Sequence, residues 1–410
     1  MKILSWRGET LSQAEADKLA QTFLDSARIG IEIEGMARFS DGRNSCGNSP
    51  RDCGICNSCA ACDPCTGSND YTHCRMNGTR SCRRRGGEAN CGEGDAECQP
   101  CEFCNRCDSC DPCAACTDRA VGTQDQVFKK IAEEVGGGCT IGKANGPLSD
   151  KELAKRGDFI YIYHDGSVNV ELVTNALLPA RFEEVLVKAV EILSKYKVKM
   201  NPDQRAGGHQ TICFSEHFPH MVAANVAQIM RYYLPALITI GCIEGTQTRG
   251  AQHRSLPASP GWSKRSKVFN QKYEAVHVKS TLALAGSPKM LEFRYPDSHT
   301  NVKQIAATGV INLAMCLKAI KMSPQGIASF VNLHWNKVES LMASLYRCGL
   351  TDKSAVDHKI LVEMRKEMLE FLSPEIDDLL KNGNKFIADI SAWEIPVKPE
   401  HTKNLVIVYK

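Results

Sequence analysis

Two segments far apart in the chain alternate apolar and charged residues with a period of two, a pattern that fits a β-strand and not a helix. The first is Arg28-Ile-Gly-Ile-Glu32-Ile-Glu34-Gly35; the second is Leu291-Glu292-Phe-Arg294-Tyr-Pro296-Asp297. On a strand, Glu32 and Glu34 share one face while Ile31 and Ile33 share the other, and Glu292 falls with Arg294. Carboxylates gathered on the concave side of a sheet are costly unless positive charge lies among them. A magnesium ion with a nucleotide phosphate would supply that charge, and an arginine beside them suits the phosphate.

Two more segments extend the pattern. Phe159-Ile-Tyr-Ile-Tyr-His164, the turn Asp165-Gly-Ser167, and Val168-Asn-Val-Glu171-Leu-Val173 predict a hairpin or two adjoining strands. Gly207-Gly-His209-Gln-Thr-Ile-Cys-Phe214 predicts a strand entered through glycines. Asp165, Glu171 and His209 thus join Glu32, Glu34 and Glu292 as candidate ligands. An oxygen-rich set with one imidazole suits two magnesium or manganese ions and poorly suits a lone structural zinc.

Helical patterning covers 11–27, where Ser12 and Glu15 fit a capping box, and 125–135, which Gly136-Gly-Gly138 ends. Pro179 opens a helix to about Lys197, and helices are expected at about 219–240 and 302–320. Residues 275–284 are a further strand candidate, and the tail from Pro324 is mainly helical with a short strand at 405–409. Between 246 and 272 runs a basic loop with Arg249, Arg254, Lys264, Arg265 and Lys267. Strands and helices alternate irregularly, which predicts an α+β fold on a mostly antiparallel sheet.

The order of these segments is similar to the glutamine synthetase and glutamate–cysteine ligase fold group, and it looks closest to the amidoligase branch of carboxylate–amine ligases. A Glu-x-Glu strand, acidic ligands, a Gly-x-His strand and a closing Glu-x-Arg follow in that group's order. Glu292-Phe-Arg294-Tyr-Pro296-Asp297-Ser-His-Thr-Asn301, leading into an Ala-rich helix, resembles the closing motif of glutamine synthetases, and Arg254 resembles the arginine of their phosphate loop. Thr211 stands where the group carries a second histidine-type residue.

The resemblance implies that the mostly antiparallel sheet is curved, and it implies a catalytic domain at 1–45 and 117–323, with 324–410 as a mainly helical C-terminal part. It implies that Glu34 and Glu171, with Asp165, hold one magnesium or manganese ion, and that Glu32, His209 and Glu292 hold the second. Arg294 and Arg254 would then stabilise the transferred phosphoryl group, and Lys264 and Arg265 would join them at ATP. A small-molecule or peptide carboxylate would become an acyl phosphate, and an amine would displace phosphate to form an amide. A glutamate–cysteine ligase-like peptide synthesis belongs to the same group, and assembly as a homo-oligomer is compatible with it.

Each residue also has a plainer reading. Asp165-Gly is a strong turn signal, Arg294 can simply pair with Glu292 or Asp297, and exposed basic loops are usually solvated. Gly137-Gly-Cys-Thr-Ile-Gly142-Lys143-Ala144 nearly fits a phosphate loop, but Ala144 replaces the Ser or Thr that would ligate magnesium. A loop over the site is expected there instead.

Cysteine usage sets one region apart. Of 21 cysteines, 16 lie between Cys46 and Cys116, a stretch with no Leu or Val that cannot bury a core of its own. Cysteine recurs every third residue at Cys53, Cys56, Cys59, Cys62 and Cys65, and again at Cys98, Cys101, Cys104, Cys107, Cys110, Cys113 and Cys116. Zinc chelation, disulfide rungs between two antiparallel arms, and an iron–sulfur cluster all remain open readings. The insertion, 46–116, also supports a rival in which a non-catalytic ligase-fold protein uses it for assembly or partner binding.

A net charge of +3 argues against nucleic acid as a partner. The longest apolar run, Leu234 to Ile243, is about half of the roughly 20 residues a membrane span needs. Met1-Lys-Ile-Leu-Ser-Trp-Arg7 lacks the apolar core of a signal peptide, so a cytoplasmic protein without membrane contact is expected.

Overall fold

The structure, a computed structural model, describes residues 10–40, 74–76, 80–85, 88–90, 121–142, 153, 155–165, 168–200, 206–241, 276–279, 290–326 and 358–382. The axis of its main sheet is β1 (Arg28–Met36). On one side β1 pairs antiparallel with β7 (Val170–Thr174). On the other it pairs with β9 (Gly208–Cys213) and, past the end of β9, with β8 (Lys199–Met200). β9 carries β11 (Met290–Phe293), and β11 carries β10 (Val276–Lys279). β7 carries β6 (Phe159–Tyr163), and β5 (Thr140–Ile141) closes that edge parallel to β6. The order β10-β11-β9-β1-β7-β6-β5 is a mixed, mostly antiparallel sheet, as the irregular alternation of elements predicts.

The period-two pattern decides which face packs. Ile29, Ile31 and Ile33 of β1 lie in register with Leu172, Ile212, Leu291 and Phe293 of the neighbouring strands, and all are buried. Each such side chain contributes about 1.5–3 kcal/mol by leaving water. Behind this face stand α1 (Gln13–Ser26), α2 (Gln124–Val135), α3 (Pro179–Lys195), α4 (His220–Gly241), α5 (Val302–Met322) and α6 (His358–Lys381). α3 meets β1, α2 meets β6, and α5 meets β9.

α5 is apolar nearly all round, as a helix enclosed by protein must be. By length and composition, Val302–Gln325 would suffice to cross a membrane, a stretch longer than the Leu234–Ile243 run picked out in the sequence; 89% of its apolar window is buried inside the structure. It is packed among α1, α3, α4 and α6.

The helix signals are realised at the ends. Ser12 Oγ accepts the Glu15 N–H at 3.3 Å while the Glu15 carboxylate accepts the Ser12 N–H at 2.8 Å. Thr123 and Gln126 repeat that reciprocal cap on α2, and Pro179 occupies the first turn of α3. Gly136, Gly137 and Gly138 end α2 with φ of 70°, 63° and 78°, values that L side chains rarely adopt. Beyond these glycines Thr140–Ile141, within the stretch expected as a loop over the site, is instead an edge strand, because its backbone pairs with β6. Lys143 and Ala144 lie outside the described residues.

Within the insertion, β2 (Cys74–Met76), β3 (Arg80–Arg85) and β4 (Glu88–Asn90) form a separate three-stranded sheet. The series Cys53 to Cys65 and Cys98 to Cys116 lie outside the described residues, as do Arg254, Lys264, Arg265 and 405–409. The flanks of the insertion are described. The Ser40 N–H donates to the Gly122 carbonyl at 2.9 Å, and the Phe39 and Phe128 rings meet edge to face at 6.0 Å.

Candidate metal centre

Opposite the apolar face, the sheet gathers its charged residues. Register pairs Glu32 with His209, Glu34 with Glu171, and Glu292 with Thr211, so β1, β7, β9 and β11 direct these side chains to one side. The His209 imidazole is the hub. Its Nδ1 lies 2.9 Å from Glu32 Oε2, 3.5 Å from Glu292 Oε1 and 3.7 Å from Glu34 Oε1. Glu32, His209 and Glu292 each offer a ligand atom within 4.8 Å of the others, a group that could hold a metal ion. The Arg294 Nη1 donates to Glu292 Oε1 at 3.0 Å.

Burial makes this grouping consequential. The Glu292 side chain is 0% exposed, Glu34 4%, and Glu32, the most open, 17%. Among the described residues, the carboxylates of Glu32, Glu34, Glu171 and Glu292 lie with the Arg294 guanidinium and the His209 imidazole. Such an excess of buried negative charge is unfavourable without a further cation or a bound proton. Glu171 shows the strain most clearly: burial, then the charges of Glu32 and Glu34, push its carboxyl up to about 9. The Tyr163 hydroxyl donates to Glu171 and acts in the opposite sense. Tyr163 itself is pushed well above the ordinary phenol range by burial and by the Glu171 charge.

Close backbone packing holds the acidic side chains. The Gly207 N–H donates to Glu34 Oε2 at 2.6 Å, and the Glu34 N–H donates to the Gly207 carbonyl at 3.2 Å. Next to it, Gly208 N–H donates to the Pro296 carbonyl at 3.0 Å. A Cβ at Gly208 would lie 2.5 Å from the Asp297 carbonyl oxygen, so only glycine admits this approach. At the end of β1, Asn169 accepts the Ala37 N–H at 2.8 Å and donates to the Ala37 carbonyl at 2.6 Å.

The structure therefore brings Glu32, Glu34, Glu171, His209, Glu292 and Arg294 together. Asp165 is half-buried after β6, near enough for its charge to add to the rise at Glu171. Sequence reasoning missed Tyr163. Its signal was present: Tyr161 and Tyr163 alternate along β6, and the register that sets Tyr163 opposite Glu171 is that of a hairpin centred on Ser167.

No family model matches this chain, and no curated protein matches it. Solved structures do. A GmaS–ADP complex covers 90% of this chain and 71% of its own, at 10% identity and a TM-score of 0.34. Glutamine synthetase of Plasmodium falciparum covers 92% and 78%, at 13% identity and 0.33. The complex between the prokaryotic ubiquitin-like protein Pup and its ligase PafA covers 93% and 68%, at 11% identity and 0.33. The likeness is one of fold at low identity, and it assigns neither substrate nor reaction to this chain.

Proposed function

We propose that this chain is an ATP- and magnesium-dependent carboxylate–amine ligase. The observation that carries the reading is the buried cluster of Glu32, Glu34, Glu171, His209 and Glu292 with Arg294 at its edge. Its donors fit hard divalent cations: carboxylate oxygens dominate, with a single imidazole. Glu32, His209 and Glu292 would hold one ion, Glu34 and Glu171 with Asp165 the other. The ions would neutralise the triphosphate and polarise its γ-phosphoryl group.

The chain's own residues would do the rest. Arg294 is held by Glu292 with its guanidinium beside the cluster, suited to spread charge from the moving phosphoryl group. The substrate carboxylate attacks the γ-phosphorus and ADP leaves, giving an acyl phosphate. The amine then attacks the carbonyl carbon, phosphate leaves, and an amide and a proton remain. Buried apolar residues behind the sheet keep the ligands fixed, so alignment is set before substrate arrives.

The test is ADP release from ATP–Mg in the presence of paired carboxylic acids and amines, with amide product followed by mass spectrometry. Wild type should turn over with at least one pair, and Glu32→Gln should lose at least about a hundredfold in rate. If neither protein binds ATP–Mg in an equilibrium assay, the ligase reading fails.

A further inference from the structure

On the far side of the sheet, a chain of buried side-chain hydrogen bonds joins the strands that carry His209 and Glu292. Tyr295 Oη donates to Asn312 Oδ1 at 2.9 Å, Asn312 Nδ2 donates to Gln210 Oε1 at 2.8 Å, and Gln210 Nε2 donates to the Ile305 carbonyl at 2.8 Å. Tyr295, Asn312 and Gln210 are each 0% exposed. Gln210 follows His209 in β9, and Tyr295 follows Arg294 just past β11. One residue of α5 therefore grips the immediate neighbours of two site residues.

This grip falls where the sheet lets go. The β9–β11 ladder pairs Glu292 with Thr211 and Phe293 with Gln210 and then stops. Pairing resumes only at the isolated bridge between Gly207 and Asp297. In that gap the β11 side has one residue more than the β9 side, a bulge of the kind that re-aims side chains. Arg294 lies within it, so the β9–β11 ladder does not fix Arg294 relative to His209.

A purely structural contact would not need these polar groups. Replacing both members of a buried hydrogen-bonded pair by apolar groups of similar shape is close to neutral for stability. A buried amide with two fixed partners, however, specifies one relative placement of the elements it joins.

We propose that Asn312 is a positioning residue that sets where Arg294 stands relative to His209, and so the charge balance of the cation site, Glu292 being placed by the ladder itself. The inference rests on the metal-centre reading above.

Titration calorimetry of the full-length protein with Mn²⁺ tests it. Mn²⁺ prefers oxygen and imidazole donors, so the cysteine thiolates compete weakly. Asn312→Leu should lower Mn²⁺ affinity about tenfold, as loss of supporting contacts around metal ligands does. Tyr295→Phe should lower it by a smaller factor. The comparison variant is Asn225→Leu, on α4, whose buried amide donates to the Ala319 carbonyl at 3.2 Å. It should lower thermal stability and leave the affinity unmoved.

Unchanged affinity in Asn312→Leu, alongside lost binding in Glu32→Gln, overturns the positioning role. So does an equal loss of affinity in Asn225→Leu. Wild-type binding in Glu32→Gln overturns the metal-centre reading instead. Should Asn312→Leu fail to fold, Tyr295→Phe decides, and an unchanged affinity there counts against the proposal.

Discussion

Glu34 and Glu171 stand directly opposite each other across the β1–β7 ladder, both buried. Like charges so placed repel. The two are accommodated differently: Glu34 accepts the Gly207 amide, whereas Glu171 is pushed up to about 9 and holds a proton at neutral pH. A cation entering between them has to displace that proton.

Stability should therefore depend on pH in a direction set by Glu171. Its carboxyl rises from 4.5 to about 9 on folding. The folded state keeps a proton that the unfolded chain releases, so the contribution is full below about pH 4.5 and is lost as pH climbs through about 9. The slope is bounded by about 1.4 kcal/mol per pH unit. Melting temperatures taken in chelator between about pH 5 and 9 should fall with rising pH, and millimolar Mg²⁺ in place of the chelator should flatten the curve. A chelated protein that gains stability over this range contradicts the burial argument.

Tyr163→Phe removes the hydroxyl that donates to Glu171 and keeps the ring that meets Tyr161 at 5.5 Å. Without that donor Glu171 should hold its proton more tightly, because the hydrogen bond acts to lower its pKa. Mn²⁺ affinity should drop about tenfold at neutral pH and recover partly at higher pH. Paramagnetic resonance of bound Mn²⁺ measures both, and equal affinity at every pH would remove Tyr163 from the site.

Arg294→Lys separates charge from geometry. A lysine still compensates buried Glu292, so the loss of stability should stay near about 1–2 kcal/mol, against about 3–5 kcal/mol for Arg294→Met. Turnover should nevertheless fall about a hundredfold or more, because an ammonium cannot reproduce the planar fork of the guanidinium. Parallel denaturation and ADP-release assays check the split.

Gly208→Ala tests the close approach behind Glu34. The added methyl would sit 2.5 Å from the Asp297 oxygen, and that atom is backbone and cannot swing aside. The 296–298 segment must shift, at about 1–3 kcal/mol. Urea denaturation should show that loss, and Mn²⁺ affinity should weaken with it.

Much of the sheet was legible because its strands are short and its central strand, β1, alternates strictly. Ile31 and Ile33 against Glu32 and Glu34 fix two faces with no knowledge of partners. The helix starts at Ser12 and Pro179 were legible for a similar reason, since caps and N1 prolines act within one turn. What sequence could not supply was register. Glu34 meets Glu171 only once β1 and β7 are aligned, and that alignment is a long-range property. Asn312 was illegible for another reason: in an apolar helix a single mid-helix amide looks like an ordinary exception, and its partner Gln210 lies 102 residues away. Thr140–Ile141 reads as loop in the sequence because two residues after three glycines carry too little pattern to announce an edge strand.

The hydrogen bond between Ser40 and Gly122 brings the two ends of the cysteine-rich excursion to a single point. Bringing the ends of such an excursion together costs a loop-closure entropy. That term grows only as the logarithm of length, so roughly 80 residues cost about 2 kcal/mol more than a ten-residue turn would. The length of the excursion is thus only weakly felt, in free energy, at the point where it closes.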